Sequence, residues 1–415
     1  MAVFLRTRTI LGSALGNIVE WYDFALYGFM APILAALFFP PNLKWVALLS
    51  TYLIFGVSFI MRPVGAILYG YCGDRFGRRN TLAYSIILMG VPTLLIGLLP
   101  TYQAAGVFSP LLLLLVRLLQ GLSAGGEFGG SATFLVEHAP LRRRGLFGSV
   151  AAAAMTAGIL LGALAAFLLD HMATQANLFE WAWRIPFLCS AAVTIMGICF
   201  RVMMVETPLF NNLIRTQAVL SNPVTAVFKE KYRSLIKVAL IICSTVVINY
   251  LTMIYLPAYL HEHRNIALAT ALTMSMSSLG LIVLTALIAG WLSDYFKPQK
   301  ILIFLSLLTA VLSWFLPQWF QTGATWQIWC AQIIFALIEG VYWGMMMTYL
   351  VDLFPAVVRF TGVSFGYNAG FAIFTGITPL LAAYLVHYFS ANLVFALILC
   401  VASLISLVGL LIKIR

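Results

Sequence analysis

The chain has 415 residues, of which 62% are hydrophobic and 9% charged, and its mean hydropathy is +1.00. A soluble globular chain is nearer a quarter charged, so the composition excludes a soluble fold and indicates an all-α polytopic membrane protein. The formal net charge of +11 would suggest nucleic acid in a soluble protein; here the placement of the basic residues explains it, and no nucleic-acid partner is expected.

A bilayer crossing takes roughly 20 mostly apolar residues. Hydropathy read against breakers and charge predicts six spans in the first half of the chain, at 10–39, 45–71, 80–100, 107–138, 146–170 and 183–204. Six more are predicted in the second half, at 236–260, 267–291, 301–320, 325–352, 361–388 and 391–412. The first run is too long for a signal-peptide core and has no small-residue cleavage site, so it reads as the first span. An even count puts both termini on one side. Nineteen basic residues fall on that side: Arg6, Arg8, Arg75, Arg78, Arg79, Arg142, Arg143, Arg144, Arg201, Arg215, Lys229, Lys231, Arg233, Lys237, Lys297, Lys300, Arg359, Lys413 and Arg415. The other side carries three, Lys44, Arg184 and Arg264. The positive-inside rule then makes both termini cytoplasmic; the expected location is a bacterial cytoplasmic (inner) membrane.

The two halves repeat each other. "GYCGDRFGRR" at 70–79, after span 2, is answered by "GWLSDYFKPQ" at 290–299, after span 8. "EHAPLRRRG" at 137–145 is answered by "DLFPAVVRF" at 352–360. The expected organisation is two pseudo-symmetric six-helix bundles, 1–204 and 236–415, joined by a cytoplasmic linker, 205–235. Parallel repeats about an axis normal to the membrane have this pattern. The linker is the only loop of any size, so no soluble catalytic or DNA-binding domain is expected. The six cysteines, at 72, 189, 199, 243, 330 and 400, show no CxxC or metal-ligand spacing and read as apolar filler.

Along its whole length the sequence resembles the major facilitator superfamily: Gly70, Asp74, Arg75, Gly77, Arg78 and Arg79 match its GxxxDRxGRR signature. More narrowly, it resembles the metabolite:proton symporters, which include carriers for proline/betaine, shikimate, citrate and 2-oxoglutarate. "GNIVEWYDF" (16–24), "MRPVG" (61–65), "RLLQGLSAGGEFGGSATFLVEHAP" (117–140), "EWAWRIPF" (180–187) and "ETPLF" (206–210) carry that likeness. The second-half signature is degenerate, with Tyr295 and Pro298 where the repeat prefers Arg. The chain stops at Arg415 without the charged coiled-coil extension of some proline/betaine carriers, which favours plain transport over osmosensing. The resemblance implies twelve helices working by alternating access, driven by a proton gradient with no cofactor or metal, and functional as a monomer.

A charge at the bilayer centre costs about 2.5–3.5 kcal/mol on insertion scales and so needs a cavity or a partner. Six charges are expected to lie deep: Glu20, Asp23, Arg62, Arg117, Glu127 and Glu339. In span 1, Asn17, Glu20, Asp23 and Tyr27 share one third of the helix circumference. Span 4 offers Arg117, Gln120, Ala124 and Glu127 on one face. Helical rise places Arg117 within reach of Asp23, so an Asp23–Arg117 pair is expected, with Glu20 and Glu127 nearby on the cytoplasmic side. Desolvation and like charge disfavour an ionised carboxylate while Arg favours it, so a cavity that opens alternately can couple protonation to orientation. Asp23 is the first candidate for the proton, then Glu20, then Glu127; the alternative is a polar network that only orients helices.

Arg62 reads equally as a snorkelling side chain or a substrate contact. Glu339 suits a cationic or zwitterionic substrate, or a second proton. In the second half Asn249, Tyr250, Tyr255, Tyr342, Trp343, Tyr367 and Asn368 are candidate cavity residues. From the signature, Asp74 and Arg78 or Arg79 are expected to pair with Glu137 and close a cytoplasmic gate, with Asp294, Asp352 and Arg359 at the repeated positions. Arg142–Arg144 read as topology signal and lipid contact. Gly-x3-Gly spacings in spans 4, 5 and 11 read as close helix contacts.

The leading functional expectation is proton-coupled uptake of a small polar metabolite, a zwitterion or a carboxylate. The alternative is proton-coupled efflux of an amphipathic compound. Because the five histidines are dispersed, an intramembrane enzyme or receptor is disfavoured.

Overall fold

The computed structural model describes residues 2–40 and 44–413; among these, nothing is described of the side chains of residues 2–8, 44, 45, 170, 175, 377, 379 and 380. Of the basic residues counted above, Arg415 lies outside the described residues, and nothing is described of the side chains of Arg6, Arg8 and Lys44. Among the described residues there is no strand. Among the described residues, ten helices are long and apolar enough to cross a membrane, and an eleventh crossing is a bent pair, Thr9–Phe29 and Ala31–Phe38, inclined by 67°. The twelfth is the shorter apolar helix Pro298–Leu312, which occupies the ninth place in the chain.

The departures from the expected spans have local causes. Span 1 was expected to be continuous, but Pro32 in the first turn of Ala31–Phe38 removes an amide donor and favours a break at Met30. Span 9 was expected to reach 320; it ends at Leu312 and a separate short helix, Pro317–Thr322, follows. Span 2, Lys44–Phe76, runs five residues further than expected, so most of the signature is helix rather than loop. It stops at Gly77, whose φ of +113° only glycine adopts without strain. Span 7 carries a π-helical segment at Tyr250–Tyr255, the kind of wide turn that helices use where side chains must be re-aimed.

Apolar side chains such as Ile60, Leu115, Ile195, Leu284 and Val401 point outward and form the lipid-facing surface. Span 1 packs on span 5 within the first half of the chain. Between the halves, span 2 packs on span 11 and span 5 on span 8. Small residues permit these approaches: a Cβ on Gly125 would lie 2.2 Å from the carbonyl oxygen of Arg62. The polar residues of spans 1, 2, 4, 7, 10 and 11 are thereby enclosed at the centre.

Candidate functional site: a buried charge network and a two-fold latch

Burying an ion pair is favourable only when hydrogen bonds satisfy most of its remaining donors and acceptors, and the buried charges of the first half are held in three such units. In the first, Glu20 is paired with Arg62, both fully buried. Arg62 Nε donates to Asn368 Oδ1 at 2.9 Å. Asn368 Nδ2 in turn donates to the carbonyl oxygen of Gly125 at 2.7 Å. Since Glu20, Arg62 and Gly125 belong to the first half and Asn368 to span 11, this chain of contacts crosses between the halves. The Arg62 guanidinium also lies 5.1 Å from the ring centres of Trp21, Phe24 and Phe371.

The second unit corrects the expected Asp23–Arg117 ion pair. Asp23 instead accepts a hydrogen bond from Thr93. Gln120 Nε2 donates to Thr93 Oγ1 at 2.6 Å, and Arg117 Nη1 donates to Gln120 Oε1 at 2.7 Å. Arg117 is held by Gln120, one turn away on its own helix, by Ser58 of span 2, whose Oγ accepts from Nη2 at 3.2 Å, and by the ring of Tyr27, 4.1 Å from the guanidinium carbon. Tyr27 donates to the carbonyl oxygen of Thr51 at 3.2 Å. Asn17 turns to span 4 and donates to Ser131 Oγ at 2.9 Å.

The third unit corrects two expectations together. Glu127 is paired with Arg201, with Nη1 to Oε2 at 2.8 Å and a second contact through Nη2. Ser85 Oγ donates to the same carboxylate at 2.6 Å. Arg201 was expected among the topogenic charges at a helix end, yet it is fully buried. It is the last-turn arginine of span 6; Gly16 leaves the space it enters beside span 1, and its Nε donates to the carbonyl oxygen of Gly12 at 3.3 Å.

In the second half, Glu339 is fully buried and accepts from Asn249 Nδ2 at 2.8 Å and from Trp343 Nε1 at 3.1 Å. Among the described residues it forms no ion pair. Tyr367 stacks on Phe128 with ring centres 4.4 Å apart, and Tyr250 stands edge-on to Phe371 at 6.0 Å. A narrow cavity at this level is walled by Trp21, Asn249, Tyr250, Trp343 and Phe371. Tyr342 faces away from it and donates to the carbonyl oxygen of Ile241 at 3.1 Å.

At the end of the bundle that carries the basic loops, the two halves are tied twice. Asp74 accepts from the backbone N–H groups of Phe360 at 3.2 Å and Thr361 at 2.8 Å, the open donors of the first turn of span 11. Asp294 does the same for span 5, accepting from Gly145 at 2.7 Å and Leu146 at 3.2 Å. Arg78 lies 3.2 Å from Asp74 and 3.4 Å from Glu137, and Arg359 lies 3.2 Å from Glu137.

Arg144, expected to serve as topology signal and lipid contact, instead pairs with Asp352 at 2.6 Å. Arg79 is drawn to the end of span 6 and the start of the linker instead of Glu137: its side chain donates to the carbonyl oxygen of Val202 at 2.8 Å and its backbone N–H to Glu206 at 3.1 Å. Arg75 is exposed and donates to the carbonyl oxygen of Ser221 at 2.8 Å. Gly70 lets Thr361 approach, and a Cβ there would lie 2.7 Å from the Thr361 Cα.

Thr93, Ser85 and Thr361 escaped the reading of the sequence because isolated hydroxyls in apolar helices usually bond their own backbone and give no periodic signal. Arg201 was visible but ambiguous, since a basic residue at a span end is the ordinary mark of topology.

Fold and site together define a multi-pass helical membrane transporter. The model of the Major Facilitator Superfamily matches residues 13–367 and 284–415. Over 395 residues the chain is 32% identical to the proline/betaine transporter of Escherichia coli (strain K12), covering 92% of this chain and 78% of that one. Over 388 residues it is 31% identical to the citrate-proton symporter of Klebsiella pneumoniae, covering 92% and 86%. In three dimensions it matches the proton:xylose symporter XylE bound to 6-bromo-6-deoxy-D-glucose, with a TM-score of 0.82 over 99% of this chain and 95% of that one, at 17% identity. The chain belongs to the Major Facilitator Superfamily.

Proposed function

We propose that the chain is a secondary active transporter that couples proton entry to uptake of a small polar organic metabolite by alternating access. Its similarity to a citrate-proton symporter and to a proline/betaine transporter supports this reading. The observation that carries it is the path Glu20–Arg62–Asn368, where a buried carboxylate is wired to a contact between the two halves. A proton on Glu20 removes the charge that holds Arg62, and so changes the strength of a contact that rocking of the halves must break. Asp23, ranked first on spacing alone, has its partners within the first half, so Glu20 becomes the leading coupling residue.

On the positive-inside rule the basic end is cytoplasmic. The latch there then closes the cytoplasmic exit, and its opening is the step that releases substrate.

The test is uptake into proteoliposomes under an imposed inside-alkaline gradient, with amino acids, betaines and di- and tricarboxylates as substrates. The expected result is gradient-driven accumulation in the wild type, and exchange without accumulation in Glu20→Gln. Full accumulation by Glu20→Gln would sink the coupling role. Export driven by proton entry would show the opposite direction of transport and replace symport with antiport.

A further inference from the structure

Two buried groups of opposite charge flank the narrow central cavity, and each has one polar atom without a hydrogen-bond partner among the described residues: Arg62 Nη1 and Glu339 Oε2. Trp21 and Phe371, on one part of the wall, lie under the Arg62 guanidinium at 5.1 Å each. Asn249 and Trp343, on another part, are the two residues that hold Glu339 Oε1. The space between is faced by the rings of Trp21, Tyr250, Trp343 and Phe371, with Met155, Ile159 and Val246 completing the apolar wall. A buried polar atom left unpaired is costly, and a buried charge without a counter-charge is more so. Arg62 shares its charge with Glu20; Glu339 has no cation beside it among the described residues.

We infer that the transported substrate is a small zwitterion, with its carboxylate on Arg62 and its ammonium or quaternary ammonium group among the aromatic walls in front of Glu339. Aromatic faces attract such cations, and a carboxylate behind them supplies the balancing charge. Glu339 offers no charge that could balance the additional carboxylate of a di- or tricarboxylate, so the same group that favours the zwitterion discriminates against citrate-like molecules. The relatives' names do not make this choice, because they include both proline/betaine and citrate carriers; Glu339 makes it. The inference rests on the transport reading above and deepens it. The substrate carboxylate and Glu20 compete for Arg62, and protonating Glu20 leaves Arg62 to the substrate. Proton and zwitterion therefore bind in concert, and by linkage each raises the affinity for the other.

The test separates binding from transport. Equilibrium binding of radiolabelled glycine betaine, proline and citrate is measured on the purified protein without any gradient, and uptake is measured in proteoliposomes. The expected result is binding of at least one zwitterion and not of citrate, weakened tenfold or more by Glu339→Gln. Trp343→Leu, which removes one wall and leaves the carboxylate, is expected to weaken it at least fivefold, with both variants eluting as the wild type does on size exclusion.

Citrate binding without zwitterion binding overturns the inference, as does binding of none of the three probes. Wild-type zwitterion affinity in both variants also overturns it. If zwitterions bind as expected but no gradient drives their accumulation, symport falls and the binding site stands. If citrate alone accumulates under the gradient, symport stands and the binding site falls.

Discussion

Arg144 and Asp352 meet across the two halves of the chain in a two-point ion pair, with Nη2 to Oδ1 at 2.6 Å and Nη1 to Oδ2 at 3.2 Å. An offset of 215 residues takes Arg144 to Arg359 and Glu137 to Asp352. The second pair, Arg359 with Glu137, is therefore the first with the halves exchanged. Asp74 and Asp294 complete the exchange, each capping the first turn of a helix in the opposite half. The duplication thus places its charges so that each half latches the other.

This reciprocity predicts rescue by charge reversal. Arg144→Asp or Asp352→Arg alone is expected to lower initial uptake several-fold, because each leaves two like charges facing. The double reversal is expected to recover most of it, as read by a double-mutant cycle on uptake rate. The pair is partly exposed, so the stability change of each single variant is expected to stay near 1 kcal/mol or less.

Asp74 is different because it is fully buried and holds three donors from span 11. Asp74→Asn places an amide donor where acceptors are needed. The expected outcome is a latch that opens more often, measured as faster labelling of a cysteine introduced at Ser364 by an impermeant maleimide from the side bearing the basic loops. Unchanged labelling would count against the latch.

For Glu127 and Arg201, breaking the pair costs more than removing it. Arg201→Ala leaves a buried carboxylate unpaired, an effect of about 3–5 kcal/mol. Arg201→Ala with Glu127→Ala is expected to be the more stable of the two variants, which thermal unfolding in detergent checks.

Between Asp23 and Arg117, Thr93 and Gln120 carry the connection. Thr93→Val keeps the side-chain shape and removes the hydroxyl. It is expected to lower the gradient-driven rate about tenfold, while Arg117→Lys, which keeps the charge, lowers it less. Equal uptake by Thr93→Val and wild type would show that transport does not depend on the hydrogen bonds joining Asp23 to Arg117.

Gly125 tests the packing behind the central path. A Cβ there would meet the backbone of span 2 at 2.2 and 2.4 Å, where no flexible side chain can move aside. Gly125→Ala is expected to destabilise the protein by about 1–3 kcal/mol through overpacking. It should also slow uptake by displacing Arg62, whose carbonyl oxygen is the atom met.

Much of the fold and site is legible in the sequence. Charge-poor apolar runs define crossings because hydrocarbon tolerates little else, and the duplicated Asp and Arg positions marked the latch. Glu20, Asp23, Arg62, Arg117, Glu127 and Glu339 were recognisable as deep charges because each interrupts an apolar helix. Their partners were less legible. Helical periodicity defines a face but not the rotamer or the neighbour, so Asp23 was assigned to Arg117 when Thr93 and Gln120 stand between them.

The sequence by itself determined that the chain is a duplicated helical membrane protein with carboxylates and guanidinium groups in its interior, because burial in hydrocarbon leaves a direct record in composition and period. Only the tertiary structure decided which charge meets which. It joined Glu20 through Arg62 to Asn368, drew Arg201 inward to Glu127, and left Glu339 with amide and indole donors but no ion pair among the described residues. Those pairings depend on contacts between residues up to 306 positions apart, and close packing at glycines, rather than local propensity, brings them within hydrogen-bonding distance.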